Sequence, residues 1–285
     1  TLFRSLHKSG NKYADEIWDL CSSIGVPGFY AMNLCYEWGC TSGVFKTDDG
    51  IRLLRVLDWP FPGLGEHMVI AHQKGEAGEF HNITWPGVSG MYQGIAPGRF
   101  AAVINQAPMR RYLTGVVLDW ARNRKRMLQS NALPPSHLLR EVFEKAKDYA
   151  EAKEMLSRTE LALPVIFILA GTREGEGCVI ERTEHDFHIH ENVSPLVAAN
   201  HFESHLNGSA KGWLPRAIAS NERCKGLRST QDDKIGSGDW FAPPVANPLT
   251  RLVFEGNPAT GWFRLVGTEG VVPVTEVFEF MHATE

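Results

Sequence analysis

The sequence lacks the paired cysteine patterns that mark disulfide frameworks and structural zinc sites. Its five cysteines form no Cys-x-x-Cys pair and no zinc-finger spacing with histidine. This absence argues against a structural zinc ion and favours a reducing compartment. Because five is an odd number, at least one cysteine is left over from any disulfide set. The cysteines are at positions 21, 35, 40, 178 and 224.

Long apolar runs and runs of like charge are also missing. The longest apolar stretch, LALPVIFILAG, contains Pro164 and is shorter than the about 18 residues that a membrane-spanning helix needs. The net charge is -4, and no block of like charges marks a nucleic-acid patch. The densest basic cluster, RNRKR at residues 122–126, is typical of a solvated helix face. We therefore predict no membrane span and no nucleic-acid partner.

The compartment is poorly determined by the sequence. The unpaired cysteines favour the cytoplasm. A secreted or lysosome-like location stays open, because the sequence begins at Thr1 and not at methionine, as it does once a signal peptide has been removed. Oligomeric state is not encoded in any motif, and a homo-oligomer is left open.

The sequence does contain material for one large layered domain. With 285 residues, 43% of them hydrophobic and 22% charged, the chain has an ordinary globular composition. Periodicity predicts helices over residues 11–24, 112–128, 136–157 and 213–227. Strands are predicted at residues 40–47, 51–59, 67–73, 80–85, 90–97, 98–106, 163–172, 177–183, 185–191, 196–200, 249–256 and 261–268. Strands, then helices, then strands favour an α+β fold with two mainly antiparallel sheets and not repeated βαβ units.

Cys40 stands at the head of the first predicted strand, in the stretch YEWGCTSG. It could be a packed hydrophobe, a metal ligand or a nucleophile. If the Gly39–Cys40 bond is cut, the new α-amine, with a reference pKa of about 7.7 to 8.0, can serve as the base for its own thiol. The partner strand offers a cation and a carboxylate in Arg55 and Asp58. Their spacing of three places them on opposite faces of an unbroken strand, so a bulge or strand end is expected near Asp58.

Six motifs, in order along the chain, resemble the cysteine Ntn-hydrolases that include acid ceramidase, N-acylethanolamine acid amidase and the choloylglycine hydrolases. They are NLCYEWGCTSG, RVLD, GMYQGIAPGRFAAVINQ, YAEAKEMLSRTELALPVIFILAGTREGEGCVIER, AANHF and SNERC. The resemblance implies a four-layer αββα fold with two stacked sheets flanked by helices. It also implies that residues 1–39 are a pro-segment, with a helix and an apolar strand, and that residues 40–285 are the catalytic domain.

The resemblance further implies a role for each of six residues. Cys40 would be the nucleophile and, after cleavage, the base. Asp58 would bind the α-amine, with Arg55 beside it. The remaining three are Asn105 and Asn200, which would present side-chain amide or backbone donors to the oxyanion, and Arg223, which would complete the charge network. The substrate would be an N-acyl amine, an N-acyl amino acid or a ceramide-like amide with an apolar acyl group, and no metal or organic cofactor is implied.

The sequence departs from the family in a few places. Gln106 stands where the acid amidases carry a glutamate, and the long interval after Asn200 makes Arg216 a competitor for the role of Arg223. The aromatic and proline-rich residues 58–65 could form a wall of an acyl pocket.

Alternative interpretations remain open from the sequence alone. The chain could be an acyltransferase on the same scaffold, or an unprocessed precursor that binds an apolar ligand while residues 1–39 cover the pocket. Taken singly, Arg55 and Asp58 are typical of a surface ion pair, and Asn105 and Asn200 of strand ends. Packing is the interpretation for Cys178 and Cys224. His188 and His190 share a face of a predicted strand, for which a solvated surface is favoured over a metal site.

Overall fold

A computed structural model describes residues 10–25, 32–33, 38–204, 206 and 212–281 of the chain. Most of the apolar strand expected before Gly39 lies outside the described residues. Within them, the structure has five α-helices and sixteen strands. The helices are α1 (Tyr13–Ile24), α2 (Val116–Gln129), α3 (Pro135–Lys145), α4 (Tyr149–Arg158) and α5 (Ser220–Arg228).

Every strand predicted from residue 40 onward is present, and four short strands are added to them. The strands are β1 (Gly39–Thr47), β2 (Gly50–Asp58), β3 (Val69–Gly75), β4 (Gly78–Thr84), β5 (Gln93–Ala96), β6 (Phe100–Gln106), β7 (Met109–Arg110), β8 (Val165–Gly171), β9 (Gly177–Arg182), β10 (Phe187–His190), β11 (Leu196–Ala198), β12 (Trp213–Leu214), β13 (Thr250–Asn257), β14 (Trp262–Glu269), β15 (Val272–Pro273) and β16 (Phe278–Phe280).

The strands form two seven-stranded antiparallel sheets. Sheet A has the order β11-β1-β2-β13-β14-β15, with β16 also paired to β14, and sheet B has the order β10-β9-β8-β6-β5-β4-β3. Short strands β7 and β12 pair separately. Antiparallel pairing between strands close in sequence confirms the predicted α+β class.

The sheets face each other and helices cover their outer faces. β1 and β2 contact β6 and β8 across the interior, α3 and α4 pack on sheet B, and α5 packs on β1 and β11 of sheet A. Neighbouring residues of β1 enter different cores: Val44 lies in the core between the sheets, and Phe45 lies in a second core beneath α5. This alternation explains why β1 is apolar on both faces, and it produces the expected αββα layering.

The β1–β2 hairpin positions the candidate nucleophile. A turn at residues 48–50 joins the strands, and the pairing places Cys40 opposite Leu57 and Ser42 opposite Arg55. Because side chains alternate along each strand, these four residues share one face of the hairpin. That face is directed toward sheet B, since Leu57 belongs to the core between the sheets.

Two of the predicted helices have different bounds in the structure. The helix predicted over 136–157 is wrong as a single element, because α3 ends at Lys145 and Asp148 then caps α4 by accepting from the backbone N–H of Glu151. The helix predicted over 213–227 begins only at Ser220, and its first residues form β12 instead. None of the helices in the described part of the chain has the length and apolar character that crossing a membrane requires.

Candidate active site

Cys40 is the second residue of β1 and is wholly buried. Its backbone N–H donates to Oδ1 of Asn200, with 2.8 Å between nitrogen and oxygen. Its Sγ lies 3.8 Å from the backbone oxygen of Ile104 in β6. The thiol therefore points between the sheets, while the backbone nitrogen is held by the segment that follows β11.

A buried guanidinium lies on the thiol side of the hairpin. Nη1 of Arg55 donates to Oγ of Ser42 at 3.2 Å and to Oδ1 of Asn105. The Asn105 amide in turn donates to the backbone oxygens of Ala198 and Ala199, at 3.0 and 3.1 Å. Both amide hydrogens are thus used by the backbone. Asn105 positions Arg55, and its side-chain amide has no hydrogen left for an oxyanion, so of the two donors that the resemblance implied only the backbone one stays a prediction.

The opposite face of the hairpin carries a buried ion pair. Nη1 of Arg223 lies 3.4 Å from Oδ2 of Asp58. The same nitrogen donates to the backbone oxygen of Cys40 at 2.5 Å and to Oγ1 of Thr41 at 2.6 Å. Thr250 donates its hydroxyl to the other carboxylate oxygen of Asp58 at 2.8 Å. Charge and hydrogen bonding thus hold Asp58 and Arg223 against the start of β1.

Arg55 and Asp58, three residues apart in β2, contribute to the site from opposite faces of the hairpin. Asp58 is the last residue of β2, and the partner strand β13 has a register shift between Thr250 and Leu252. The predicted strand end near Asp58 is therefore present. Arg55 reaches the Cys40 thiol side and Asp58 reaches the helix side, so the two residues need not share a face.

Asn200 joins the two sides of the site. Its Oδ1 accepts from the Cys40 nitrogen and from Nη2 of Arg223, the latter at 2.7 Å. Its Nδ2 donates to the backbone oxygen of Gln106 at 2.9 Å, and its backbone N–H donates to Oγ of Ser220 at 2.8 Å. Asn200 therefore holds the nitrogen that cleavage would turn into an α-amine, a task that the sequence assigned to Asp58.

Burial controls the protonation of the thiol. It raises the pKa of Cys40, and the charge of Arg55 opposes this rise only in part. Burial also lowers the pKa of Arg55, which nevertheless stays charged because a guanidinium starts above about 12. Nε and Nη2 of Arg55 have no hydrogen-bond partner among the described residues. These two donors are available to stabilise a thiolate once a base removes its proton.

An open cleft lies beside the Gly39–Cys40 bond. Its volume is about 490 Å³, which is within the usual range for small-molecule sites. Asp58, Gln106 and Arg216 supply its polar lining. The rest of the lining is Trp38, Gly39, Pro60, Met109, Val116, Val117, Trp120, Leu214, Ala217, Ile218 and Leu249. Of the proline-rich residues 58–65, Asp58 and Pro60 thus reach the cleft.

The structure separates the two arginines that competed for one role. Arg223 is 1% exposed and belongs to the buried network, whereas Arg216 lines the cleft. Gln106 also lines the cleft, and its Nε2 has no hydrogen-bond partner among the described residues. A neutral amide therefore lines the cleft at this position.

Sequence reasoning found the six predicted residues that the structure brings together, and it missed the hydroxyls that support them. Thr41 and Ser42 follow Cys40 directly, and Ser42 could have been found from alternation along β1. Thr250 and Ser220 lie on distant elements, so no local pattern pointed to them.

Two histidine-containing groups lie outside this network. His188 and His190 share a strand face, with ring centroids 4.6 Å apart, and His190 pairs with Glu181 at 3.2 Å. Within the described residues, the group that could hold a metal ion is instead His201, Glu203 and Cys224.

Comparison with known proteins gives one family. The sequence profile of the linear amide C-N hydrolases, choloylglycine hydrolase family, matches residues 40–211. An N-acylethanolamine-hydrolyzing acid amidase of Caenorhabditis elegans is 28% identical over 257 residues, which cover 83% of this chain and 70% of the relative. Acid ceramidase of Heterocephalus glaber is 36% identical over 108 residues, or 38% of this chain, and the match spans only 26% of the ceramidase.

The fold agrees with this assignment. The solved structure of the Caenorhabditis elegans N-acylethanolamine-hydrolyzing acid amidase ortholog superposes with a TM-score of 0.60 at 22% identity, covering 77% of this chain and 93% of that one. The chain therefore belongs to the linear amide C-N hydrolases of the choloylglycine hydrolase family and is a hydrolase of linear amide bonds.

Proposed function

We propose that this chain matures by cutting its own Gly39–Cys40 bond and then hydrolyses N-acyl amides through a thioester on Cys40. The observation that carries the proposal is the Asn200 contact, in which the Cys40 nitrogen is already held by an acceptor in a buried charge network. The family profile also begins its match at Cys40. Residues 1–39 would be the pro-segment and residues 40–285 the catalytic domain.

In the maturation step, Sγ of Cys40 attacks the carbonyl carbon of Gly39. A sulfur–carbon bond forms, the Gly39–Cys40 carbon–nitrogen bond breaks, and the nitrogen takes up the thiol proton. Water then hydrolyses the thioester, which releases the Gly39 carboxylate and restores the thiol. Space explains the glycine here, because a Cβ at this position would lie 2.7 Å from Cβ of Ala217.

In the mature enzyme, the α-amine of Cys40 would be the base. With a reference pKa of about 7.7 to 8.0, it is in large part neutral near pH 8 and able to take the thiol proton. Oδ1 of Asn200 accepts a hydrogen bond from the α-amine, and Arg55 stabilises the thiolate. The thiolate attacks the amide carbonyl, and the leaving amine takes its proton from the α-ammonium. Water then hydrolyses the acyl thioester with the α-amine again as base.

Asn200 would also donate to the oxyanion. Its Nδ2 carries two hydrogens, and one of them is used by the backbone oxygen of Gln106. Loss of one such donor costs roughly 2.7 to 4 kcal/mol of transition-state stabilisation in enzymes of this type. Arg223 and Asp58 would keep Asn200 and the first residues of β1 in place.

The apolar wall of the cleft supports an acyl group as the part of the substrate it binds. Val117 and Ile218 are 77% and 70% exposed, and Trp120 beside them is 44% exposed. Covering such surface gains roughly 25 cal/mol per Å² of apolar area removed from water. The Caenorhabditis elegans relative acts on N-acylethanolamines, and this supports an N-acyl amine with an apolar chain as the substrate class.

Intact mass tests the maturation step. We expect the purified wild-type chain to break before Cys40 and the Cys40→Ala variant to stay whole and inactive. Cys178→Ala is the matched control, because this thiol is also buried but lies in β9. Cleavage at residue 39 in Cys40→Ala, or turnover by that variant, would overturn the proposal.

A series of N-acyl ethanolamines of increasing chain length tests the substrate class. Trp120→Ala should raise KM about ten-fold for long chains and leave short-chain substrates unchanged, since only long chains reach this side chain. Trp18→Ala is the control, because Trp18 is 49% exposed and lies on α1. Equal KM changes for short and long chains in Trp120→Ala would contradict acyl binding at this wall.

A further inference from the structure

We propose that His201, Glu203 and Cys224 form a binding site for a zinc ion on the helix side of the catalytic network. His201 and Glu203 follow β11, and Cys224 lies on α5. Each of the three offers one ligand atom, and these atoms all lie within 4.8 Å of one another. Three different donor types from two elements thus converge on one point outside the proposed reaction chemistry.

The separations suit an ion after a small closure. Zinc bonds of about 2.0 to 2.3 Å in tetrahedral geometry place ligand atoms roughly 3.3 to 3.8 Å apart. Sγ of Cys224 is already 3.8 Å from Oε1 of Glu203. A shift of about 1 Å in the His201 or Glu203 side chain completes the site, and both side chains follow a strand end where such a shift is cheap.

The donor set selects the class of ion. Thiolate, imidazole and carboxylate suit Zn²⁺, whereas Mg²⁺ and Ca²⁺ require shells of oxygen ligands. Nδ1 of His201 lies 2.8 Å from Oγ of Ser220, a contact that fixes the ring, as outer hydrogen bonds do for metal-binding histidines.

The site is reached from solvent through a cavity of about 260 Å³ that His201 and Glu203 line together with Glu181, His190 and Arg228. Arg228 pairs with Glu203 at 2.7 Å, and both side chains are about two-fifths exposed. An ion pair of this exposure contributes little stability. Zinc can therefore displace Arg228 from the carboxylate at small cost.

The site is joined to the active site through adjacent residues. His201 follows Asn200, and Cys224 follows Arg223 in the sequence. Oγ of Ser220 contacts both His201 and the backbone N–H of Asn200. An ion that draws β11 and α5 together therefore moves Asn200 and Arg223, which hold the backbone nitrogen and the backbone oxygen of Cys40. We expect zinc to lower turnover, a consequence that rests on the proposed function.

The binding test uses the full chain carrying Cys40→Ala, because a free cysteine with its α-amine would itself bind zinc. Calorimetric titration should give one zinc ion per chain, and Cd²⁺ should produce a thiolate charge-transfer band in the ultraviolet. Affinity should fall at least ten-fold in Glu203→Gln, His201→Gln and Cys224→Ser. Glu203→Gln keeps the test valid if the buried variants fail to fold, because this side chain is exposed. His188→Gln should bind zinc normally.

Unchanged zinc affinity in Glu203→Gln and His201→Gln would overturn the site, as would absence of zinc binding to folded Cys40→Ala. In the mature wild-type enzyme, zinc should inhibit turnover, and His201→Gln should shift that inhibition to at least ten-fold higher zinc concentration. Inhibition that does not shift would overturn the coupling. Because binding is measured in an inactive variant, failure of the proposed function would be seen separately, as lack of wild-type turnover.

Discussion

Two clusters of polar side chains in this molecule differ in their exposure to solvent. Around Cys40, the charged residues Arg55, Asp58 and Arg223 are each 2% exposed or less, and hydrogen bonds hold them inside the fold. Where α1 packs on α3, the charged side chains are half-open: Arg140 is 13% exposed and its partner Glu16 is 39% exposed. The first cluster is insulated from solvent, and the second remains responsive to it.

The second cluster, which we term the α1 seam, consists of Asn11, Tyr13 and Glu16 against His137, Arg140 and Glu144. Arg140 donates to both carboxylate oxygens of Glu16, at 2.7 and 2.9 Å, and the Tyr13 hydroxyl donates to Glu144 at 2.9 Å. Ile17 is buried alongside. Since α1 precedes the proposed cut and α3 follows it, we propose that the seam retains the pro-segment after cleavage.

We expect the largest effect on the buried network around Cys40 from Asp58→Asn. The change keeps the shape and the Thr250 contact but leaves Arg223 as a buried cation without its carboxylate. Removing one partner of a buried ion pair costs about 3 to 5 kcal/mol, so we expect lower stability and turnover reduced at least a hundred-fold. Denaturant unfolding and steady-state kinetics measure the two effects. Unchanged kinetics would contradict a role for Asp58 in keeping Arg223 and Asn200 in place.

Arg223→Lys should have the next largest effect. Lysine keeps the charge near Asp58 but loses the planar fork that reaches the Cys40 oxygen and Asn200 together. We expect kcat to fall about ten- to a hundred-fold with little change in KM. Arg228→Lys is the control on the same helix, where the side chain is 43% exposed. Equal kinetic effects of the two variants would argue against the network.

The sequence was sufficient to predict most of the fold. Alternation and the Asp-Gly turn gave the β1–β2 hairpin, and the order of strands gave the two antiparallel sheets. The helix predicted over 136–157 failed because no glycine or proline marks its break. The break depends on the side chain of Asp148, which caps the start of α4. The backbone is extended at Ala146, directly after α3 ends at Lys145.

The candidate site was predictable only in its membership. Motifs selected residues that the structure brings together, but periodicity along one strand does not predict which atom of Asn200 contacts Cys40, 160 residues away. The same limit left Arg216 in the sequence as a competitor for the role predicted for Arg223. Only packing of α5 on β1 buries Arg223 and leaves Arg216 on the cleft.

Arg140→Ala tests the partly exposed α1 seam. It removes the pairs with Glu16 and Glu144 from partly exposed positions, and we expect a loss of roughly 1 to 3 kcal/mol in pro-segment binding. In the cleaved protein, native mass spectrometry should then show residues 1–39 dissociating at lower concentration. Arg158→Ala, at an exposed pair on α4, is the control. Equal retention in both variants would contradict the seam.

The smallest expected effect is a pH dependence of stability from His137. Its buried ring accepts from Nδ2 of Asn11 at 2.6 Å, and burial lowers its pKa to about 3. Because the folded pKa lies below the unfolded value of about 6.5, the unfolded chain binds the extra proton, and stability falls as the pH drops from 6.5 toward 3. Between pH 6.5 and 5.5 the loss is about 1 kcal/mol.

Urea unfolding of Cys40→Ala at these two pH values measures this loss in the unbroken chain. His137→Gln in the same background should remove about 1 kcal/mol of the pH difference, because glutamine does not titrate. His72→Gln should not, since the His72 side chain is 58% exposed. A pH difference that persists unchanged in His137→Gln would mean that the seam does not sense acid through this ring. Its loss would show that acid loosens the packing of α1 through this ring.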